Sequence, residues 1–253
     1  MKIRRATGAD VPAVARLVLA ALADEAPWKL ILASKTDGNG TEAAIEYGER
    51  MLLSCLESKH HIVLVLEVSG PESRAHSNPL IVSACVWDTS AAEACRSAAN
   101  GGSAVGGLHE RGASGRLSHS PVADIAKIPD KLAALDQAGL VGRQRRFADR
   151  GPFLYLHILA TRPDFQRRGY GKALVLWGMD LARQDCRPIC AQAAPRGYVL
   201  LSGLGFIDLG PVSLPAEIGT GEGPCLKALM YDPASPRRRG SLVSLISRYL
   251  HRS

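Results

Sequence analysis

Between an apolar run, Phe153 to Ala160, and a second apolar run, Ala173 to Ala182, the chain reads Gln166-Arg167-Arg168-Gly169-Tyr170-Gly171-Lys172. No other stretch constrains the fold as strongly. The first run is apolar at both alternating sets of positions, which predicts a central strand of a covered sheet. The second belongs to a helix expected over Gly169 to Asp185. A strand that passes into a helix through two glycines and two arginines lets backbone N–H groups approach an anionic diphosphate. The dipole of the helix also favours negative charge at that end.

Two familiar glycine motifs do not fit. A dinucleotide fingerprint needs a third glycine three residues after Gly171, where Leu174 stands. A P-loop needs Ser or Thr after Gly-Lys, where Ala173 stands, and a glycine in the place of Gln166.

The rest of the pattern alternates strands and helices. Lys2 to Ala6 predicts an opening strand, and Thr7 or Asp10 caps a helix over 11–24 whose apolar side is Val14, Leu17, Val18, Ala21 and Leu22. Thr41 to Ser58 predicts a second helix. His61 to Val68 and Leu80 to Trp87 are β-branched runs that predict an antiparallel pair. Thr89 to Pro121 is rich in Ala, Gly and Ser, with little to bury, and reads as a partly disordered insertion. Ile128 to Arg150 could add a helix anchored by Leu132, Leu135 and Leu140, although Gly139 and Gly142 disfavour one. Further on, Pro188 to Ala193, Phe206 to Leu209 and Cys225 to Met230 predict strands, and Arg196 to Gly203 a short helix. The domain is expected over 1–232, with the insertion at about 89–150.

Of the net charge of +7, five units come from Arg237, Arg238, Arg239, Arg248 and Arg252, which all follow the last acidic residue, Asp232. Subtracting them leaves +2 for residues 1–232, which argues against nucleic acid as a partner. Residues 233–253 read as a basic tail with a possible short helix, offering a contact for an anionic membrane, an import receptor or the domain itself. The six cysteines form no zinc-ligand spacing, and no metal is expected. The opening residues lead into no signal-peptide core, so a soluble cytoplasmic or nuclear protein is expected.

With these residues in hand, the chain resembles the Gcn5-related N-acetyltransferase (GNAT) superfamily, and most of all its uncharacterised fungal members. Gln166 to Gly171 match that family's Gln/Arg-x-x-Gly-x-Gly/Ala loop between a strand and a helix. Leu204-Gly205-Phe206 after a short helix matches too, as does the opening Ile3-Arg4-Arg5-Ala6-Thr7 with Asp10. The specific match spans about 153–210. The resemblance implies an α/β acyl-CoA N-acyltransferase fold, a mixed central β-sheet flanked by helices, with acetyl-CoA as co-substrate. It implies that the backbone amides of Arg167, Arg168, Gly169, Tyr170, Gly171 and Lys172 hold the pyrophosphate, with Gln166 and Ala173 also in the cofactor site. It also implies that Leu159, Ala160 and Thr161 pair with the pantetheine arm, with a backbone N–H near Leu159 polarising the thioester carbonyl. Glu25 and Trp28 fall where the family lines its acceptor pocket.

Acetyl transfer to an amine needs a proton acceptor for the nitrogen and a proton donor for the leaving thiolate. Tyr155 and His157 are candidate bases, two residues apart on the expected strand and so on one face. A histidine also relays protons near neutral pH. The family's usual acid is a tyrosine five residues before the Phe of Gly-Phe. Leu201 stands there, and Tyr198, three residues earlier, is the candidate in its place. The chain is thus expected to be an N-acetyltransferase acting on a small-molecule amine in a ternary complex. A non-catalytic acyl-CoA sensor and an interaction protein working through the basic tail are the alternatives.

Overall fold

In the computed structural model the described residues are 1–33, 39–69, 79–90, 130–214 and 226–234. The expected segments 91–121 and 235–253, the insertion core and the tail, lie outside them.

Seven strands form one sheet: β1 (Lys2–Arg5), β2 (His61–Val68), β3 (Leu80–Asp88), β4 (Leu154–Thr161), β5 (Ile189–Ala193), β6 (Ile207–Pro211) and β7 (Lys227–Tyr231). Their order is β1-β2-β3-β4-β5-β7-β6. Only β4 and β5 run parallel; every other neighbouring pair is antiparallel. Among the described residues six α-helices accompany them: α1 (Val11–Leu22), α2 (Trp28–Ala33), α3 (Asn39–Glu57), α4 (Asp130–Phe147), α5 (Tyr170–Gln184) and α6 (Pro195–Gly203). Among the described residues the expected strands and helices are found, with ends that agree to within three residues; the tail helix expected over 241–250 lies outside the described residues. The short α2 was not expected, because six residues are too few to show a helical period.

Apolar alternation along the strands divides the core between the two faces of the sheet. Leu64, Leu66, Leu154 and Leu156 pack with Leu174, Val175 and Met179 of α5. Val63, Val65, Ala84 and Val86 pack with Val11, Val14 and Ala15 of α1 and Leu52 of α3. Helix α5 sits close on β3 because residue 178 is glycine. A Cβ there would fall 2.1 Å from the ring of Trp87, which is fully buried.

The opening turn is fixed by charge. Arg4 donates to Asp10 at 2.7 and 2.8 Å and to Glu67 of β2 at 2.8 Å. Asp10 also accepts from the Thr7 amide at 2.7 Å, so its carboxylate ties back to the turn before α1. Hydrogen bonding from Arg4, helped by Thr7, outweighs burial and holds that carboxyl down at about 2.

Helix α4 forms despite Gly139 and Gly142, and the packing shows why. The Gln192 side chain of β5 donates to the Gly139 carbonyl at 3.0 Å. A Cβ on residue 142 would meet Gln192 and Val212 at 2.8 Å. Close approach to the sheet offsets the weaker helix propensity of about 1 kcal/mol per glycine.

Candidate functional site

Strands β4 and β5 pair only over Leu154–Leu156 and Ile189–Ala191. Beyond Leu156 the two diverge, and the remaining half of β4 has no ladder partner on that side. The Arg162 amide donates to Val82 of β3 at 2.9 Å. Strand alternation therefore turns the backbone groups of Leu159 and Thr161 the other way, into the opening. Ala160 instead faces β3, its carbonyl accepting from the Ser83 hydroxyl at 2.8 Å. The Thr161 carbonyl accepts from the Gln166 side chain at 3.1 Å, which folds the following loop onto the strand end.

That loop delivers the N-terminus of α5 to the same opening. Arg167 and Gly169 have φ of 65° and 85°, and Gly169 is the residue that caps α5. Left-handed residues aim successive amides toward one side, the geometry of an anion-binding nest. Tyr170, Gly171 and Lys172 occupy the first turn of α5, and at Gly171 and Lys172 the N–H groups have no acceptor within the helix. The Ala173 amide already donates to the Gly169 carbonyl at 2.9 Å, so the outward-facing donors end at Lys172. Gly171 sits hard against β4: a Cβ there would lie 3.2 Å from the Thr161 hydroxyl and 3.8 Å from Leu200 of α6. The strand end, the helix start and α6 thus meet at one point. Arg167, Arg168 and Lys172 are exposed around it, with the Arg168 guanidinium 5.1 Å from the Phe165 ring centroid.

On the opposite face of β4 lies a cluster of polar side chains. The register of β3 and β4 slips between Val86 and Trp87, so that Ile158 and Leu156 are paired and His157 is left over as a bulge. His157 keeps the face of Tyr155, two residues before it, ring centroids 6.2 Å apart. His61 of β2 stands edge-on to His157 at 6.5 Å. His157 is exposed while its neighbours Leu154, Tyr155 and Leu156 are buried. Desolvation by the surrounding protein pushes the imidazole down to about 4; His61 and Arg143 add to the effect and Asp88 opposes it. Burial pushes the Tyr155 hydroxyl above its ordinary value, so it stays protonated.

Three members of this cluster were not expected: His61, Asp88 and Arg143. Asp88 ends β3 and pairs in register with both His61 and Tyr155. Arg143 of α4 donates to its carboxylate at 2.6 Å, and both side chains are largely buried. The guanidinium also lies 4.3 Å from the Tyr155 ring centroid. Burial works to raise the Asp88 carboxyl, but Arg143 and the Ser90 amide outweigh it and hold it low.

Helix α4 crosses the divide in the sheet. On one side it is tied to α3, where the Tyr47 hydroxyl donates to Asp136, and to β3 through Asp88. On the other it is tied to β5 through Gly139, and to β6 through Arg146, which donates to the carbonyls of Leu209 and Pro211 at 2.9 and 2.8 Å. Glu25, after α1, makes a second link by accepting from the Arg196 amide in the first turn of α6 at 2.7 Å. Trp28 packs against the core patch of Ile31, Phe153, Tyr155 and Ala194.

Tyr198 turns toward the far edge of the sheet. The Lys227 ammonium, which is bonded to Asp208 at 3.0 Å, lies 5.9 Å from its ring centroid. Leu201 is buried in the α5-side core, and its carbonyl accepts the Phe206 amide at 3.1 Å. A cavity of about 560 Å³ between α4 and residues 211–214 lies away from the opening, and its polar lining consists of Gln137, Ser213, Arg145 and Arg146, without a histidine or a carboxylate. Among the described residues no group of His, Cys, Asp and Glu could hold a metal ion, and no helix is long and apolar enough to cross a membrane.

Comparison with known proteins bears on this geometry. No curated protein sequence matches the chain. Residues 118–194 match the model of the acetyltransferase (GNAT) family. Among solved structures, an acetyltransferase from Corynebacterium glutamicum, described as histone acetyltransferase HPA2 and related acetyltransferase, is similar at 19% identity. The match covers 93% of this chain and 97% of that one, with a TM-score of 0.53. The polyamine N-acetyltransferase of Drosophila melanogaster matches at 17% identity over 91% of this chain and 99% of its own, with a TM-score of 0.52. An agmatine N-acetyltransferase in its apo form matches at 16% identity over 91% and 98%, also with a TM-score of 0.52. The matched segment contains α4, β4, the loop, α5 and β5, and the chain has the GNAT acyltransferase fold.

Proposed function

We propose that this protein transfers an acetyl group from acetyl-CoA to the amine of a small molecule. One observation carries the reading: the opening between β4 and β5 lies against the N-terminus of α5. An extended, amide-bearing arm can pair with Leu159 and the Thr161 amide there, while a diphosphate takes the amides of Gly169, Gly171 and Lys172. Arg167, Arg168 and Lys172 add charge at the rim.

The acetyl thioester supplies an activated carbonyl. Attack forms a bond from the amine nitrogen to that carbon, the C–S bond breaks, nitrogen loses a proton and sulfur gains one. His157 is exposed beside the bulge and neutral, so it is placed to take the proton as nitrogen becomes cationic. Tyr155, buried and held protonated, serves as a wall for the imidazole rather than as a base. The sulfur proton comes from water in this reading, since Leu201 offers none and Tyr198 lies toward the far edge of the sheet beside Lys227. Glu25 and Trp28 border the acceptor side. Helix α4 spans the face that carries His157, and a compact acceptor fits that arrangement better than an extended polypeptide.

A second reading is a non-catalytic acyl-CoA sensor, favoured by the apolar Leu201. Thiol release from acetyl-CoA across a panel of small amines separates the two. Transfer predicts release above the acetyl-CoA hydrolysis rate with at least one amine; rates equal to hydrolysis for every amine would favour the sensor.

A further inference from the structure

The Asp88–Arg143 pair joins the end of β3 to a helix of the segment between β3 and β4, directly beside the two histidines. Asp88 is opposite His61 and Tyr155 in the sheet register, and Arg143 lies over the Tyr155 ring while bonding Asp88 at 2.6 Å. An unpaired carboxylate at this place would draw a proton onto the imidazoles, because a negative charge favours their cationic form. A protonated His157 has no lone pair to offer an amine.

We propose that Arg143 is a positioning residue for His157: by holding the Asp88 carboxylate it keeps that charge away from the imidazole and leaves the ring nitrogen open to the acceptor. This rests on the acetyl-transfer reading for its role in catalysis, but not for the electrostatics. The groups that face His157 are His61 from β2, Asp88 from β3, Tyr155 from β4 and Arg143 from α4. Cys55 of α3 and Cys190 of β5 border the cluster; burial pushes both thiols up to about 12, so they add no charge. The charged residues of α1 and α2, Arg16 and Lys29, are exposed. Asp88 raises both histidines and Arg143 lowers both, so the pair leaves the direction set by burial.

The test is a ring-proton NMR titration of His157 in the full chain, assigned by its loss in His157→Gln. The unmutated chain titrates below about 6.5, the ordinary histidine value. In Arg143→Gln the midpoint rises by about one unit or more. In the double variant Arg143→Gln with Asp88→Asn it returns, and Arg143→Lys keeps most of the original value. An unchanged midpoint in Arg143→Gln, or no return in the double variant, overturns the proposal. If Arg143→Gln does not fold, Asp88→Asn decides: its midpoint falls below that of the unmutated chain, and a midpoint that stays or rises overturns the proposal. Acetyl-CoA affinity, measured on the same samples, stays within about twofold. Absence of acetyl-CoA binding by the unmutated chain would remove the transfer reading and leave the titration result standing. In the enzyme assay, Arg143→Gln moves the acidic limb of kcat upward and leaves KM for acetyl-CoA unchanged.

Discussion

The two sides of β4 solve different problems with different materials. The side facing α5 is made of backbone: the unpaired half of a strand, two left-handed residues and the first amides of a helix. The side facing α1 and α4 is made of side chains, His61, Asp88, Arg143, Tyr155 and His157, drawn from β2, β3, α4 and β4. Backbone donors tolerate changes of side chain and recognise a ligand of fixed chemistry. A side-chain cluster changes with each substitution and suits a variable acceptor. The difference teaches where substitutions should act: on the donor side through shape, on the acceptor side through charge.

The largest effect is expected where the donor-side helix meets the sheet. Gly178→Val places a branched side chain inside the Trp87 ring, and should destabilise by about 3 kcal/mol or more, read as a drop in denaturation midpoint. A variant as stable as the parent would show that α5 is not seated as described. Next comes His157→Gln, which should lower kcat about 100-fold with acetyl-CoA affinity unchanged. A loss of both together would mean the two sides are not separable. Gly169→Val imposes strain at φ 85° while meeting nothing within 4 Å, so it should weaken acetyl-CoA binding about tenfold and spare the amine KM. Equal losses for donor and acceptor would break the division. The smallest effect is at the root of α1. Asp10→Asn should cost about 1 kcal/mol at neutral pH. Because the Asp10 carboxyl is held at about 2, below its ordinary 3.8, its contribution is complete above about pH 4 and lost as pH falls toward 2. Urea denaturation at pH 7 and pH 2.5 should therefore show parent and variant converging at the lower pH.

The same contrast explains what could be read in the sequence. The loop from Gln166 to Gly171 announced itself because backbone sites need glycine at fixed places, and fixed places leave a local pattern. Tyr155 and His157 share a face as their i, i+2 spacing predicts, and the bulge at His157 leaves that intact. Asp88 and Arg143 left no local signal: 55 residues separate them, and their meaning arises only when α4 packs across the sheet. Gly139 and Gly142 argued against that helix for a sound local reason, and tertiary packing against Gln192 and Val212 overrode it. Glu25 and Trp28 were picked out together, yet Glu25 is bonded to the Arg196 amide while Trp28 packs into a core patch.

The central claim is that the opening beside α5 binds acetyl-CoA through backbone groups. Calorimetric titration of acetyl-CoA into the parent chain and Gly171→Glu tests it most directly, since a side chain there enters the contact with Thr161 and adds a negative charge at the helix start. The account predicts 1:1 binding by the parent and a loss of at least tenfold in the variant. No binding by the parent, or undiminished affinity in a folded Gly171→Glu, would contradict it.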